Sequence, residues 1–243
     1  EDSSGVLRHV LIEFGGIELA TDNEINGLTM GSVGSGTVIE NIMVNTTLDD
    51  CFEWFGGTVD AKNLICNNAG DDMFDADQGY IGTLTNLFGR QVLTSSDNPN
   101  GFEMDSDVDG DEPVTHVTAN NVTLCGMGEI GASVAYGMVL REGLTGEFEQ
   151  VVVTGFDFGV DLRDESTDVS IADSIMFDGV AEDVGNPDDT DAELGTGTEP
   201  IDEDDWFASA DGNTTAAPSF DVGDCTARSG PNSAVTDSGV GAF

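Results

Sequence analysis

Three short stretches of this sequence place carboxylates at spacings from which a hard-cation site can be built. They are Asp49-Asp50-Cys51-Phe52-Glu53-Trp54, Asp71-Asp72-Met73-Phe74-Asp75-Ala76-Asp77 and Gly101-Phe102-Glu103-Met104-Asp105. Each centres on an acid between two apolar residues, and in an extended strand the apolar pair points one way and the acid the other. If these strands stack, Glu53, Asp75 and Glu103 form a ladder with neighbours about 4.8 Å apart. Like charges at that separation repel by roughly 3 to 4 kcal/mol at an effective dielectric near 20. Asp49, Asp50, Asp71, Asp72, Asp77 and Asp105 sharpen the conflict. A divalent ion that takes about six to eight oxygen ligands converts such repulsion into binding, and Ca²⁺ is the ligand this pattern predicts. The competing reading is a solvated acidic face tolerated in high salt.

A second candidate is Asp105-Ser106-Asp107-Val108-Asp109-Gly110-Asp111-Glu112. Alternate aspartates followed by Gly match the first half of an EF-hand loop, where oxygens at alternate positions converge and Gly permits the turn. The position that needs a bidentate Glu is His116, so a complete EF-hand is excluded, and a shorter loop closed by Asp111 or Glu112 is the metal-binding alternative to a plain acidic turn. Arg141 and Arg163 follow Leu140 and Leu162 at equivalent places, which predicts an ion-pair patch with Glu142, Asp164 and Glu165; a lyase-type base is the second reading. Neither His9 nor His116 has an evident Ser or Cys partner, and there is no nucleophile elbow, phosphate loop or zinc signature. Trp54 points inward by alternation and Phe55 outward, where an aromatic beside bound calcium is suited to stack on a sugar ring or to pack under a loop.

The elements that must position these residues are two kinds of repeated strand. One kind includes Val6–Ile12, Thr37–Val44, Thr58–Ile65, Thr83–Phe88, His116–Leu124, Glu147–Val153 and Asp168–Met176; the other includes Leu28-Thr29-Met30, Phe52-Glu53-Trp54, Phe74-Asp75-Ala76, Phe102-Glu103-Met104, Met138-Val139-Leu140 and Val160-Asp161-Leu162. Phe52 to Phe74 and Met138 to Val160 are each 22 residues apart, the length of one coil of a right-handed parallel β-helix. Longer spacings imply inserted loops. The fold expected is therefore an all-β, right-handed parallel β-helix over 1–180, an acidic loop or linker over 181–205, and a C-terminal cap over 206–243 carrying Trp206, Phe207, Phe220 and Phe243. Gly-Ser-Val-Gly-Ser-Gly at 31–36 reads as a tight corner between two strands.

The segments Asp-Asp-Cys-Phe-Glu-Trp-Phe-Gly-Gly-Thr-Val at 49–59 and Gly-Asp-Asp-Met-Phe-Asp-Ala-Asp at 70–77 resemble a family of secreted bacterial parallel β-helix proteins of unassigned function. Asp-Asn-Glu-Ile-Asn-Gly-Leu-Thr at 22–29 and the terminal Gly-Ala-Phe share the likeness, which covers residues 5–180 and the extreme C-terminus. The resemblance implies export or surface association and brings no catalytic residue with it.

Composition bounds the partners. The 243 residues hold 48 acidic and 6 basic side chains, a formal charge of −42, which opposes the phosphate contacts of nucleic-acid binding and the attraction of an anionic membrane surface. No run of apolar residues is long enough to span a bilayer, and residues 1–4 have no signal-peptide character, so any export signal has been removed or lies elsewhere. The four cysteines, 51, 66, 125 and 225, allow three pairings, of which 51 with 66 is closest in sequence; small buried hydrophobes are the alternative. Spread acidity keeps a protein hydrated in concentrated salt, which predicts a marine or hypersaline extracellular setting. The expected function is an extracellular calcium-binding protein with a structural or adhesive role at the cell surface or matrix, including a filament or array subunit with self-association or a surface glycan as partner. The alternative is a carbohydrate-active lyase, hydrolase or noncatalytic glycan binder.

Overall fold

The structure, a computed structural model, describes residues 2–17, 19, 25–93, 99–106, 112–127, 134–163, 167–171, 175–178, 182–184 and 225. The chain runs through β1 (Val6–Gly15), β2 (Leu28–Val33), β3 (Val38–Thr47), β4 (Phe52–Gly57), β5 (Ala61–Asn67), β6 (Phe74–Asp77), β7 (Ile81–Arg90) and β8 (Phe102–Met104). It continues with β9 (His116–Cys125), β10 (Tyr136–Leu140), β11 (Thr145–Thr154), β12 (Phe158–Leu162), β13 (Asp168–Ile171), β14 (Ile175–Asp178) and β15 (Glu182–Val184). Odd strands stack on odd from β1 to β13, with β14 also on β11, and even strands from β2 to β12 stack on even, with β15 last. All pairings are parallel. Two parallel stacks fed alternately by one chain define a parallel β-helix solenoid, and it continues past residue 180 to β15, which pairs with β12.

The register explains why this sequence coils. Leu28, Phe52, Phe74, Phe102, Met138 and Val160 occupy one position on successive coils. From Phe52 to Val160 these side chains are fully buried, and Phe52 lies stacked on Phe74 at 5.4 Å between ring centroids. Each such ring or branched side chain contributes roughly 1.5 to 3 kcal/mol on burial. Trp54, Ala76, Met104, Leu140 and Leu162 form the second inward column of the even strands. Cys51 and Cys66, both fully buried, are joined by a disulfide inside the coil.

The odd strands are bent in mid-strand. His9, Asn41, Asn63, Asn86, Asn121 and Gln150 fall at one register position, and all have φ between 56° and 59°. That left-handed conformation turns the backbone, and Asn tolerates it better than most side chains. The Asn63, Asn86 and Asn121 amides each donate to the Oδ1 of the Asn one coil earlier at 2.7 to 2.8 Å. The strands β1 to β11 of this stack are thus two arms around a left-handed corner, and amide hydrogen bonds link the corners of β3, β5, β7 and β9. In the last coil the arms separate into β13 and β14, which pair with the two halves of β11. Three straight runs per coil result: one even strand and two odd arms. The 31–36 glycine-rich stretch forms the expected corner between β2 and β3, closed by Thr37 N donating to Gly34 O at 3.0 Å.

The expected acidic linker beyond 184 and the cap at 206–243 lie outside the described residues, Cys225 excepted. Cys225 is bonded to Cys125 of β9, a strand with neighbours on both sides. At this residue the C-terminal region lies against the flank of the solenoid.

Candidate metal centre

The even strands bring the predicted acids to one face. Thr29, Glu53, Asp75, Glu103, Val139 and Asp161 share a register position at the strand centres. Glu53, Asp75 and Glu103 therefore stack on consecutive coils as their spacing predicted. Two further columns flank them. In the turns leading into the strands stand Asn26, Asp50, Asp72 and Asn100, in register with Tyr136, the first residue of β10; at the strand ends stand Phe55, Asp77, Asp105, Arg141 and Arg163.

The first flanking column is partly structural. Asp72 N donates to Asp50 Oδ1 at 2.7 Å, Asn100 N to Asp72 Oδ1 at 2.9 Å, and Tyr136 N to Asn100 Oδ1 at 2.9 Å. A side-chain oxygen at this position stitches each coil to the next, which Asn does as well as Asp. Asn100 makes this bond to the next coil, so the bond alone does not require acids at 50 and 72.

The central column divides into two regimes. On one side Arg141 Nη2 lies 2.5 Å from Glu103 and 3.2 Å from Asp105, and Arg163 Nε lies 2.9 Å from Asp161. Burial works against the Arg141 cation, but Glu103, Asp105 and Glu142 outweigh it and hold the guanidinium charged. The expected ion-pair patch exists with Glu103, Asp105 and Asp161 as its main anions; Asp164 and Glu165 lie outside the described residues. On the other side, one oxygen each from Asp50, Glu53 and Asp75 come within 4.8 Å of one another. Among the described residues no cation pairs with any of the three. A second trio, Asp49, Asp50 and Asp71, meets the same limit and shares Asp50.

Burial sets the electrostatics here. Glu53 was expected to face solvent, yet it is 9% exposed; Asn26 Nδ2 donates to its Oε2, and acids crowd it. Burial first, then the charges of Asp77, Asp49, Asp71 and Asp105, pushes the Glu53 carboxyl up to about 8. Burial also raises Asp50, Asp72 and Asp75 well above the carboxylate range, aided by one another and by Glu53, Asp71 or Glu103. Asp49 is raised by burial. Asp75 Oδ1 and Asn26 Oδ1 are sealed from solvent with no hydrogen-bond partner, oxygens that a cation would satisfy. Two ligands of one calcium lie no more than about 5 Å apart, twice the Ca–O distance, so the Asp50, Glu53 and Asp75 oxygens fit a single shell.

The twelve predicted ligands thus separate into groups. Asp49, Asp50, Glu53, Asp71 and Asp75 converge, Asp72 and Asp77 stand beside them, and Glu103 and Asp105 are drawn to Arg141. Asp107, Asp109 and Asp111 of the EF-hand-like loop lie outside the described residues. Sequence reasoning missed Asn26, whose signal was the alignment of Asn26-Gly-Leu-Thr with Asp50-Cys-Phe-Glu and Asn100-Gly-Phe-Glu. Trp54 points inward, fully buried, and Phe55 is half-buried on the outer side. His116 Nδ1 lies 2.9 Å from Thr145 Oγ1, away from the acids.

Stacked parallel coils with chemistry concentrated on one strand face define a class of protein, the β-helix scaffold that displays a row of side chains along a flat surface. Residues 1–223 match the pectate-lyase like beta helix domain, and the chain belongs to that family. No curated protein and no solved structure matches it.

Proposed function

We propose that this protein is an extracellular calcium-binding β-helix protein with a structural or adhesive role at the cell surface or in a matrix. The observation that carries the reading is the asymmetry of the acidic face: where Glu103 and Asp105 have Arg141, the Asp50, Glu53 and Asp75 oxygens share a volume 4.8 Å across with no paired cation among the described residues. A Ca²⁺ there removes the repulsion, satisfies Asp75 Oδ1 and ties coils β4 and β6 together. Two disulfides support an oxidising, extracytoplasmic setting, and the −42 charge supports concentrated salt. Arg141, held between two carboxylates, is a poor proton acceptor, which favours binding over lyase chemistry.

A second reading, a glycan binder or carbohydrate-active protein, is favoured by the family and by one feature of the same face. Tyr136 and Phe158 stack at 5.3 Å, both half-buried, with Arg163 5.5 Å above the Tyr136 ring. Such a platform suits a sugar ring.

Thermal melts in EDTA, CaCl₂ and MgCl₂ at constant high NaCl test the first reading. A site at a hundredfold ligand excess adds about 2.7 kcal/mol, so a calcium-specific rise of several degrees is expected. Equal melts in EDTA and calcium would overturn it. Titration with neutral and acidic polysaccharides, with Tyr136→Ala as the comparison, tests the second.

A further inference from the structure

One residue in the first flanking column departs from its neighbours. Asp50, Asp72 and Asn100 each turn Oδ1 to a backbone N–H one coil on, at 2.7 to 2.9 Å. Asn26 holds the same register on the first coil, but its Oδ1 is sealed from solvent with no hydrogen-bond partner. The residue is 7% exposed, and its Nδ2 donates to Glu53 Oε2 and, at 3.2 Å, to Thr29 Oγ1. The carboxamide is therefore turned out of the stitching column and against the acidic centre. The backbone holds it there: Gly27 N donates to Asp50 O at 2.7 Å and Leu28 N to Cys51 O at 3.0 Å. A Cβ on residue 27 would stand 2.5 Å from Val44 Cγ1 and 2.7 Å from Cys51 O, so only glycine permits this approach.

We propose that Asn26 Oδ1 is a fourth protein ligand of the calcium held by Asp50, Glu53 and Asp75, and that the ion thereby staples the end strand β2 to β4 and β6. The inference rests on the calcium reading above and extends it to a third coil. A buried oxygen with no donor is costly, and amide oxygens are ordinary calcium ligands. Asn26 Nδ2 touches Glu53 Oε2, so the Oδ1 on the same carbon lies within the roughly 5 Å that two ligands of one calcium span. Thr29 Oγ1 gives Nδ2 a second acceptor, so Glu53 can turn to the ion without stranding that donor. The staple acts where the stack is weakest. Among the described residues β2 pairs with β4 alone, and its Leu28 and Val33 are half-buried. A strand with one neighbour opens at low cost, and an open edge invites association with other chains. Calcium occupancy thus sets whether this terminal strand is fixed.

Hydrogen–deuterium exchange of the full chain in EDTA and in CaCl₂, at constant high NaCl, tests the staple, with calorimetric CaCl₂ titration of the same samples. In the unaltered protein calcium is expected to slow exchange in peptides covering β2 as well as in those of β4 and β6; slowing confined to β4 and β6 would overturn the proposal. Two variants separate an oxygen ligand from a hydrogen-bond donor. Asn26→Ala removes both, and is expected to weaken calcium binding roughly tenfold or more and to abolish the calcium protection of β2. Asn26→Asp keeps the oxygen and loses the donor, so it is expected to bind calcium at least as tightly as the unaltered protein and to keep that protection. Equal weakening in both variants would make Asn26 a donor to Glu53 and no ligand, and unchanged binding in Asn26→Ala would remove it from the shell; either result overturns the proposal. An unaltered protein that binds no calcium overturns the underlying calcium reading and this proposal with it. Far-UV circular dichroism verifies that the variants fold; if they do not, the exchange pattern of the unaltered protein decides the question.

Discussion

In EDTA the stability of this protein is expected to fall as pH rises through neutrality. Glu53 ionises near its ordinary 4.5 when unfolded and at about 8 when folded. Below 4.5 both states hold the proton and the group is neutral to stability. Between the two values the unfolded chain releases the proton while the folded chain keeps it, so unfolding becomes more favourable with each step in pH. The unscreened effect is about 1.4 kcal/mol per pH unit; solvent at the mouth of the site screens part of it, leaving a total of about 2 kcal/mol for this one group. Asp50, Asp72 and Asp75 are raised by the same burial and act in the same direction. For a domain of this size the Glu53 contribution alone lowers the Tm by roughly 4 to 8 °C. The assay is a series of melts in EDTA at constant high NaCl from about pH 5 to about pH 9. Exposed carboxylates are fully ionised over the upper half of that range, so the slope there belongs to the buried cluster. Calcium, by favouring the ionised forms, should flatten the slope, and Glu53→Gln should reduce it. A Tm in EDTA that is flat or rises from pH 6 to 9 would refute the reasoning.

Two substitutions extend the account. Asp75→Asn removes a buried carboxyl whose ionisation burial and its acidic neighbours oppose, so near neutral pH the EDTA form gains about 1 kcal/mol while the calcium-induced rise in Tm falls by at least half; an unchanged calcium response places the ion elsewhere. Asn86→Ala removes the bond it donates to Asn63 and the one it accepts from Asn121 and leaves a left-handed residue without its favoured side chain, a loss of about 2 kcal/mol. Urea titration measures it, and a loss below about 0.5 kcal/mol would mean that the corner does not depend on the amide ladder.

Much of the architecture was legible because a solenoid repeats its own alignment. The spacing of Phe52, Phe74 and Phe102 carries the even-strand register, and with it the stacking of Glu53, Asp75 and Glu103. The corner at Asn41, Asn63, Asn86 and Asn121 is visible in the sequence as Asn recurring at one place in the repeat, inside segments whose pattern predicts strands. Polar residues at alternate positions fit both an outward side chain and a bend, and only φ separates them. Burial of Glu53 was not legible, since alternation fixes the side of a strand but not what covers it. Nor was the division of the acidic column: Arg141 follows Glu103 by 38 residues in the sequence, a separation lengthened by insertions, and only the stacking of β10 on β8 makes them neighbours. Cys51 with Cys66 was the nearest of three pairings; the bond of Cys125 to Cys225 depends on a chain path that local pattern does not encode.

The most direct measurement is anomalous diffraction from crystals soaked in MnCl₂ as a stand-in for calcium, with a parallel CaCl₂ soak. The account predicts a peak within about 2.6 Å of carboxylate oxygens from Asp50, Glu53 and Asp75, at the same place in both soaks. A clean map at that position, with the three carboxylates instead facing only solvent or protons, would contradict it.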